Sequence, residues 1–209
     1  MSNLYSYADK AIKDMNRRNL RAFDKLKQLK FDELNVFEAV TKTYDDSVRL
    51  AKKRYEQIGY YAYLAAVIRA KIGEKKAKEM AEDSITEDWV LDMMEDYDAV
   101  TLYRFFPETE RKKQRTVEAI IAAQDKGEAI DRALRLWTLQ ITHYADKSVD
   151  EAMIDGYKAA GVKKVKWITA EDDRVCNICR SRNGKVYQMG KLPTKPHYYC
   201  RCYFLPVLD

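Results

Sequence analysis

From residue 1 to about 160, apolar positions recur at the alternating steps of three and four that keep them on one side of an α-helix. Leu34, Phe37, Val40, Tyr44, Val48, Ala51, Tyr55 and Ile58 form one unbroken stripe. The stripe predicts a long helix from Asp32 to Ile72, with Gly73 as its stop. Before it, Ala8, Ile12, Met15, Ala22, Leu26 and Leu29 share a face of a strongly basic helix. Ser84-x-x-Glu87 reads as a capping box that opens a helix through Trp89, Leu91 and Met94. Pro107 breaks the chain after Phe105-Phe106, and helices are expected over Glu108–Ala123 and Ala129–Tyr144. Ser148-x-x-Glu151 reads as a second capping box, opening a helix that Gly161 closes.

After Gly161 the pattern changes. Three of the four prolines and all four cysteines lie there. Val162–Thr169 alternates and predicts a strand, and Arg182-Asn183-Gly184-Lys185 predicts a tight two-residue hairpin turn of type I′. Val186-Tyr187 would begin the return strand, and Cys202–Val207 a last one. The predicted fold class is therefore mainly α: an elongated helical body over residues 1–160 and a small Cys-rich β-hairpin module over 161–209.

A helix from Asp32 to Ile72 spans about 60 Å at 1.5 Å per residue, more than a body of ~160 residues covers. Part of its stripe is expected to face a partner, and the cluster Tyr60, Tyr61 and Tyr63 marks the place. Charge is unevenly spread. Residues 1–30 hold eight Lys/Arg against three Asp/Glu, residues 31–160 twenty against twenty-six, and residues 161–209 ten against four. Glu82 to Asp98 carries eight carboxylates and no Lys or Arg. Basic ends on an acidic middle suit contact with nucleic acid or with neighbouring protein copies. No apolar run approaches the ~20 residues a membrane span needs. The first residues lack a basic stretch followed by an apolar one, so synthesis in a reducing cytoplasm is expected.

The cysteines carry the chemistry. Cys176-x-x-Cys179 is followed after twenty residues by Cys200-x-Cys202, with His197 three positions before Cys200. Two short chelate loops at this separation match a tetrahedral zinc site, in preference to disulfides or packing thiols. Cys176 and Cys179 would be completed by two of His197, Cys200 and Cys202. His143 sits in a helical pattern and reads as an interior or boundary histidine; it and His197 are the chain's only histidines. That scarcity argues against a zinc-dependent nuclease, for which Asp172-Asp173 would be the acidic candidates. Neither a phosphate-cradling glycine loop, a Ser/His/Asp set nor a βαβ setting for a redox Cys-x-x-Cys is visible. Enzymatic activity is not expected.

The stretch Trp167-Ile-Thr169-Ala170-Glu-Asp172-Asp173-Arg174-Val-Cys176-Asn-Ile-Cys179, then Gly184, then His197-x-x-Cys200-Arg201-Cys202, resembles the C-terminal signature of tailed-phage minor head proteins, the Mu F-type head morphogenesis family. The similarity spans residues 167–202; the helical region before it offers no motif to match, and Tyr198-Tyr199 stands where the family tends to have a proline. The resemblance implies a structural protein of the phage head, present in few copies inside the capsid near the portal vertex. Its implied partners are the portal protein, other head proteins and, for members that leave with the genome, packaged DNA. The alternative from a different class is a zinc-dependent nucleic-acid-binding or nuclease protein.

Overall fold

Two helices of 34 residues each, α2 (Val36–Arg69) and α6 (Lys126–Ala159), run side by side through the molecule. In the computed structural model, which describes residues 4–30, 35–169, 175–198, 200 and 202–208, they are parallel. Trp137 Nε1 donates to Ser47 Oγ (2.7 Å), Tyr55 Oη donates to the Ile141 carbonyl (2.8 Å), and Gly156 lies against Ala66 and the Tyr63 carbonyl. A Cβ built on Gly156 would come within 3.0 Å of both Ala66 Cβ and Tyr63 O, so glycine sets how closely the two backbones approach.

Helices α1 (Leu4–Lys27) and α5 (Phe105–Ala122) run antiparallel to this pair. Along α1, Asn19 accepts from Ser47 and Asp14 pairs with Arg54. Along α5, Thr116 meets Tyr44, Lys113 pairs with Asp45, and Phe105 faces Tyr55 edge-on. The result is a helical bundle with aromatic residues Phe23, Tyr44, Tyr55, Phe105, Trp137 and Tyr144 along its centre, each wholly buried. Two short helices, α3 (Glu74–Ser84) and α4 (Glu87–Glu95), cover the C-terminal half of α2. Trp89 of α4 lies over Gly59, where a Cβ would meet its ring at 2.8 Å.

The mainly helical class is as the periodicity predicts, and most of the stripe is core. Val40, Tyr44, Ala51, Tyr55 and Ile58 are buried, whereas Phe37 is exposed and Leu34 lies outside the described residues. Several boundaries differ. The long helix stops at Ala70 rather than at Gly73: Lys71 takes the left-handed conformation (φ 65°), and the Lys71 and Ile72 amides close onto Ile68 and Val67. Gly73 instead precedes α3 in extended conformation. The helix through Trp89 is present, but its cap is Thr86, whose hydroxyl accepts from the Trp89 amide. Ser84 ends α3 and donates to Tyr63 Oη. Ser148 is no cap at all: it lies in the middle of α6, wholly buried, with its hydroxyl donated to the Tyr144 carbonyl one turn back. Gly161 (φ 75°) closes that helix as expected.

The C-terminal residues form a three-stranded antiparallel sheet, β1 (Lys164–Ile168), β2 (Val186–Gln188) and β3 (Tyr203–Val207), in the order β2-β1-β3. Val165 and Trp167 point inward, where Trp167 meets Phe204 edge-on. The Asn-Gly turn has Asn183 at φ −55°, ψ 130° and Gly184 at φ 76°, which is type II and not I′. It also joins a helix to a strand, because a short helix, α7 (Asn177–Arg182), is inserted between β1 and β2. Among the described residues no helix is long and apolar enough to cross a membrane.

Candidate metal centre

The insertion between β1 and β2 is what carries Cys176 and Cys179. Cys176 is the residue immediately before α7, and its Sγ accepts from the Cys179 amide at 3.3 Å, as a serine would at a helix start. Cys179, one turn further, points into the protein and is 1% exposed. The opposite wall is the loop from Leu192 to the start of β3, which presents His197, Cys200 and Cys202; both of these cysteines are buried. The ligand atoms of Cys176, Cys179 and His197 lie within 4.8 Å of one another, and so do those of Cys179, Cys200 and Cys202. Cys179 is common to both sets. All five residues predicted from the spacing are thus brought together, and this cluster could hold a metal ion.

The sulfurs are free thiols: Cys179 Sγ and Cys200 Sγ are 3.4 Å apart, far beyond the ~2.05 Å of a disulfide. They are close to the ~3.8 Å separation that sulfurs at about 2.3 Å from a tetrahedral ion must have. Electrostatics divide them. The Cys179 amide, with His197 nearby, brings the Cys176 thiol down to about 7, while burial and the Cys200 hydrogen bond push Cys179 up to about 12. The hydrogen bond with Cys202, and then burial, raises Cys200; the same bond lowers Cys202. The cluster therefore already favours thiolate at some of its sulfurs, the form a metal needs.

His197 gives the most direct test of fit. Its Nδ1 is 2.7 Å from the Tyr198 carbonyl, which can only accept, so Nδ1 carries a proton and the neutral ring would present its lone pair at Nε2. That Nε2 is buried and has no hydrogen-bond partner. A histidine oriented by a backbone carbonyl through one nitrogen, with the other directed at a thiol cluster, is the arrangement of a metal ligand.

The spacing gave no sign of how this centre is attached to the body. Lys195 Nζ donates to the Cys200 carbonyl (2.8 Å) and pairs with Asp150 of α6 (2.6 Å), both side chains being largely buried. A cavity of about 300 Å³ opens beside this pair, between α6, the loop after α4 and the Cys-rich loop. Asp146 and Glu151 line it, and burial pushes each carboxyl up to about 7. His143 is the interior histidine the helical pattern predicts, and its partner is Asp98 at 2.9 Å. Of the eight carboxylates in the run Glu82–Asp98 only that of Asp98 is buried. Burial works against its charge, but His143 and the Thr101 and Val100 amides hold it down at about 2.

The tyrosine cluster is divided. Tyr61 is 47% exposed and stacks against Tyr7, and Tyr60 is half-buried. Tyr63 is core, 2% exposed and hydrogen-bonded by Ser84. It is unavailable to a partner because α3 and α6 cover that side of the long helix, the coverage that its length argued against. Asp172, Asp173, Arg174 and Arg201 lie outside the described residues. Comparison with protein-family models, curated proteins and solved structures returns no match to this chain.

Proposed function

We propose that the chain is a minor head protein of a tailed phage: a non-enzymatic structural component, made in the host cytoplasm and built into the capsid beside the portal. The observation that supports this reading most is the convergence of Cys176, Cys179, His197, Cys200 and Cys202. The five Cys and His residues of the resemblance, drawn from both ends of a 27-residue stretch, form one cluster instead of scattering through the sheet. The metal in this reading is zinc, the ion that thiolate and imidazole donors hold in tetrahedral geometry without redox chemistry. Its role would be structural, tying the α7 segment to the loop before β3. Cys176 and Cys179 would supply one side, and two of His197, Cys200 and Cys202 the other. A cross-linked module of this kind gives a rigid end to a helical body whose exposed side chains, Tyr61 among them, are free to meet head proteins.

The test has two arms. A mass-spectrometric inventory of purified virions, together with co-purification on portal rings, should find the protein in both. Elemental analysis of chelator-free, reduced protein should find about one zinc per chain. Absence from virions and from portal preparations rejects the head-protein reading; metal-free protein rejects the zinc-held module.

A further inference from the structure

We propose that the outer face of the C-terminal sheet, with the cleft beside it, binds the phosphate backbone of nucleic acid without regard to sequence. The face follows from strand alternation. Val165 and Trp167 point inward, so Lys164 and Lys166 of the central strand point out, with Val186 and Gln188 of β2 and Leu205 and Val207 of β3 as their neighbours on that face. Side chains two apart on a strand stand about 7 Å from each other, which fixes these two ammonium groups in a row.

The row continues into a cleft of about 290 Å³ where α2, α6 and the sheet meet. Lys71, Lys163 and Lys164 line it, and among the described residues no carboxylate does; Asp209, which follows Leu208 of the lining, lies outside them. Lys71 is held there by its left-handed backbone at the end of α2, opposite Gly161 at the end of α6. The two helix ends bring only about half a negative charge each, against three full positive charges. Lys71, Lys163, Lys164 and Lys166 are all exposed, and among the described residues none is in an ion pair. From Gly161 to Leu208 the described residues include no Asp or Glu at all.

The chemistry favours nucleic acid over an acidic protein. Lysine is depleted at protein–protein interfaces, which need an apolar centre, and this face offers scattered Val and Leu between ammonium groups. A phosphate backbone needs only point charges on a rigid support. Nothing on the face resembles an element that enters a groove, so it reads charge and not bases. The assignment of the surface stands apart from the proposed function and rests on it only for the identity of the polyanion, the packaged genome.

The experiment uses full-length protein as purified and a labelled duplex of arbitrary sequence, about 30 base pairs, titrated by fluorescence anisotropy between about 50 and 200 mM salt. The wild type should bind, with log K falling steeply against log salt. Changing Lys71, Lys163, Lys164 and Lys166 to Gln together should lower the magnitude of that slope by about 0.9 for each phosphate no longer neutralised, and weaken binding about tenfold or more. A charge-matched control on α1, with Lys10, Lys13, Arg21 and Lys25 changed to Gln, should bind as the wild type does. K166Q alone, with the wild-type melting curve as a check, should show a smaller loss of the same sign. Equal losses in the two quadruple variants, no binding by the wild type at the lowest salt, or tighter binding to polyglutamate than to DNA would each overturn the proposal. A protein found in virions that does not bind DNA sinks this inference alone. One that binds through this face yet is absent from virions sinks the head-protein reading alone.

Discussion

Carboxylates wholly or partly removed from water set much of this protein's response to pH, and Asp146, half-buried beside the cavity, is the clearest case. Its carboxyl, ordinarily at 3.8, is pushed up to about 7 by burial, which outweighs the attraction of Lys195. A carboxyl raised in the folded state contributes full stability only below its unfolded value; that contribution is lost as pH rises through about 4 to 7. Asp146→Asn should therefore leave stability unchanged near pH 3.5 and raise it near pH 8 by about 1–2 kcal/mol, a gain of roughly 3–8 °C in melting midpoint. Thermal melts of both proteins across that range check it, and a variant less stable at high pH would contradict it. Asp98 has the opposite sign: held at about 2, it stabilises above the usual carboxylate range and ceases to below it. The same scale holds the attachment of the metal centre. Asp150→Asn should weaken metal binding about tenfold, measured by competition with a chromophoric chelator, because Lys195, which donates to the Cys200 carbonyl, would lose the carboxylate that anchors it to α6. Unchanged affinity would make the ion pair incidental. Neither residue was legible in the sequence. Asp150 and Lys195 sit 45 positions apart in a chain with 33 acidic and 38 basic residues, and charge spacing has no periodicity to single out such a pair. The five metal-type ligands were legible because chelate geometry forces short, fixed spacings.

At the level of elements, periodicity identified helices and strands well, and capping signals identified their ends poorly. Ser148-x-x-Glu151 has the composition of a capping box, yet the run His143–Glu151 contains neither Gly nor Pro to break the preceding helix. A buried serine can return its hydroxyl to the carbonyl four residues back, as Ser148 does, and continue the helix. The Asn-Gly turn was recognisable as a turn, but its type depended on α7, which no apolar pattern announces because its six residues are mostly exposed. Glycine inside a helix was the signal passed over. Gly156 lets α6 lie against α2, and the atoms facing it, Ala66 Cβ and the Tyr63 carbonyl, cannot rotate aside. Gly156→Ala gains about 1 kcal/mol of helix propensity but forces the helices apart, at about 1–3 kcal/mol for overpacking. The expected result is a net loss of about 1 kcal/mol and a midpoint lower by a few degrees in thermal denaturation. A more stable variant would show that the two helices yield freely.

Across the whole molecule the question is whether body and Cys-rich module behave as two units or one. The change of sequence pattern at Gly161 suggests two, and cysteine replacement would then melt the module and spare the helices. The contacts argue otherwise. Only Gly161, Val162 and Lys163 separate Ala160, the cap of α6, from β1, too short a connection to act as a linker. Tyr157 of α6 is wholly buried and donates its hydroxyl to the Phe204 carbonyl of β3, and Lys195 fastens the ligand loop to Asp150. Val165, Trp167, Cys179 and Phe204 belong to the same buried cluster as the bundle aromatics. Removing the metal should therefore loosen the end of α6 along with the module. In thermal melts of Cys179→Ala, or of wild type with chelator, the helical circular-dichroism signal and the tryptophan fluorescence should still change in one transition, at a midpoint several degrees below that of the metal-loaded protein. Cys179 is the informative position, being the one thiol shared by both ligand sets. Two separate transitions, with the helical midpoint unmoved by chelator, would show that the bundle folds without regard to its C-terminal module and that the contacts at Tyr157 and Asp150 only dock it.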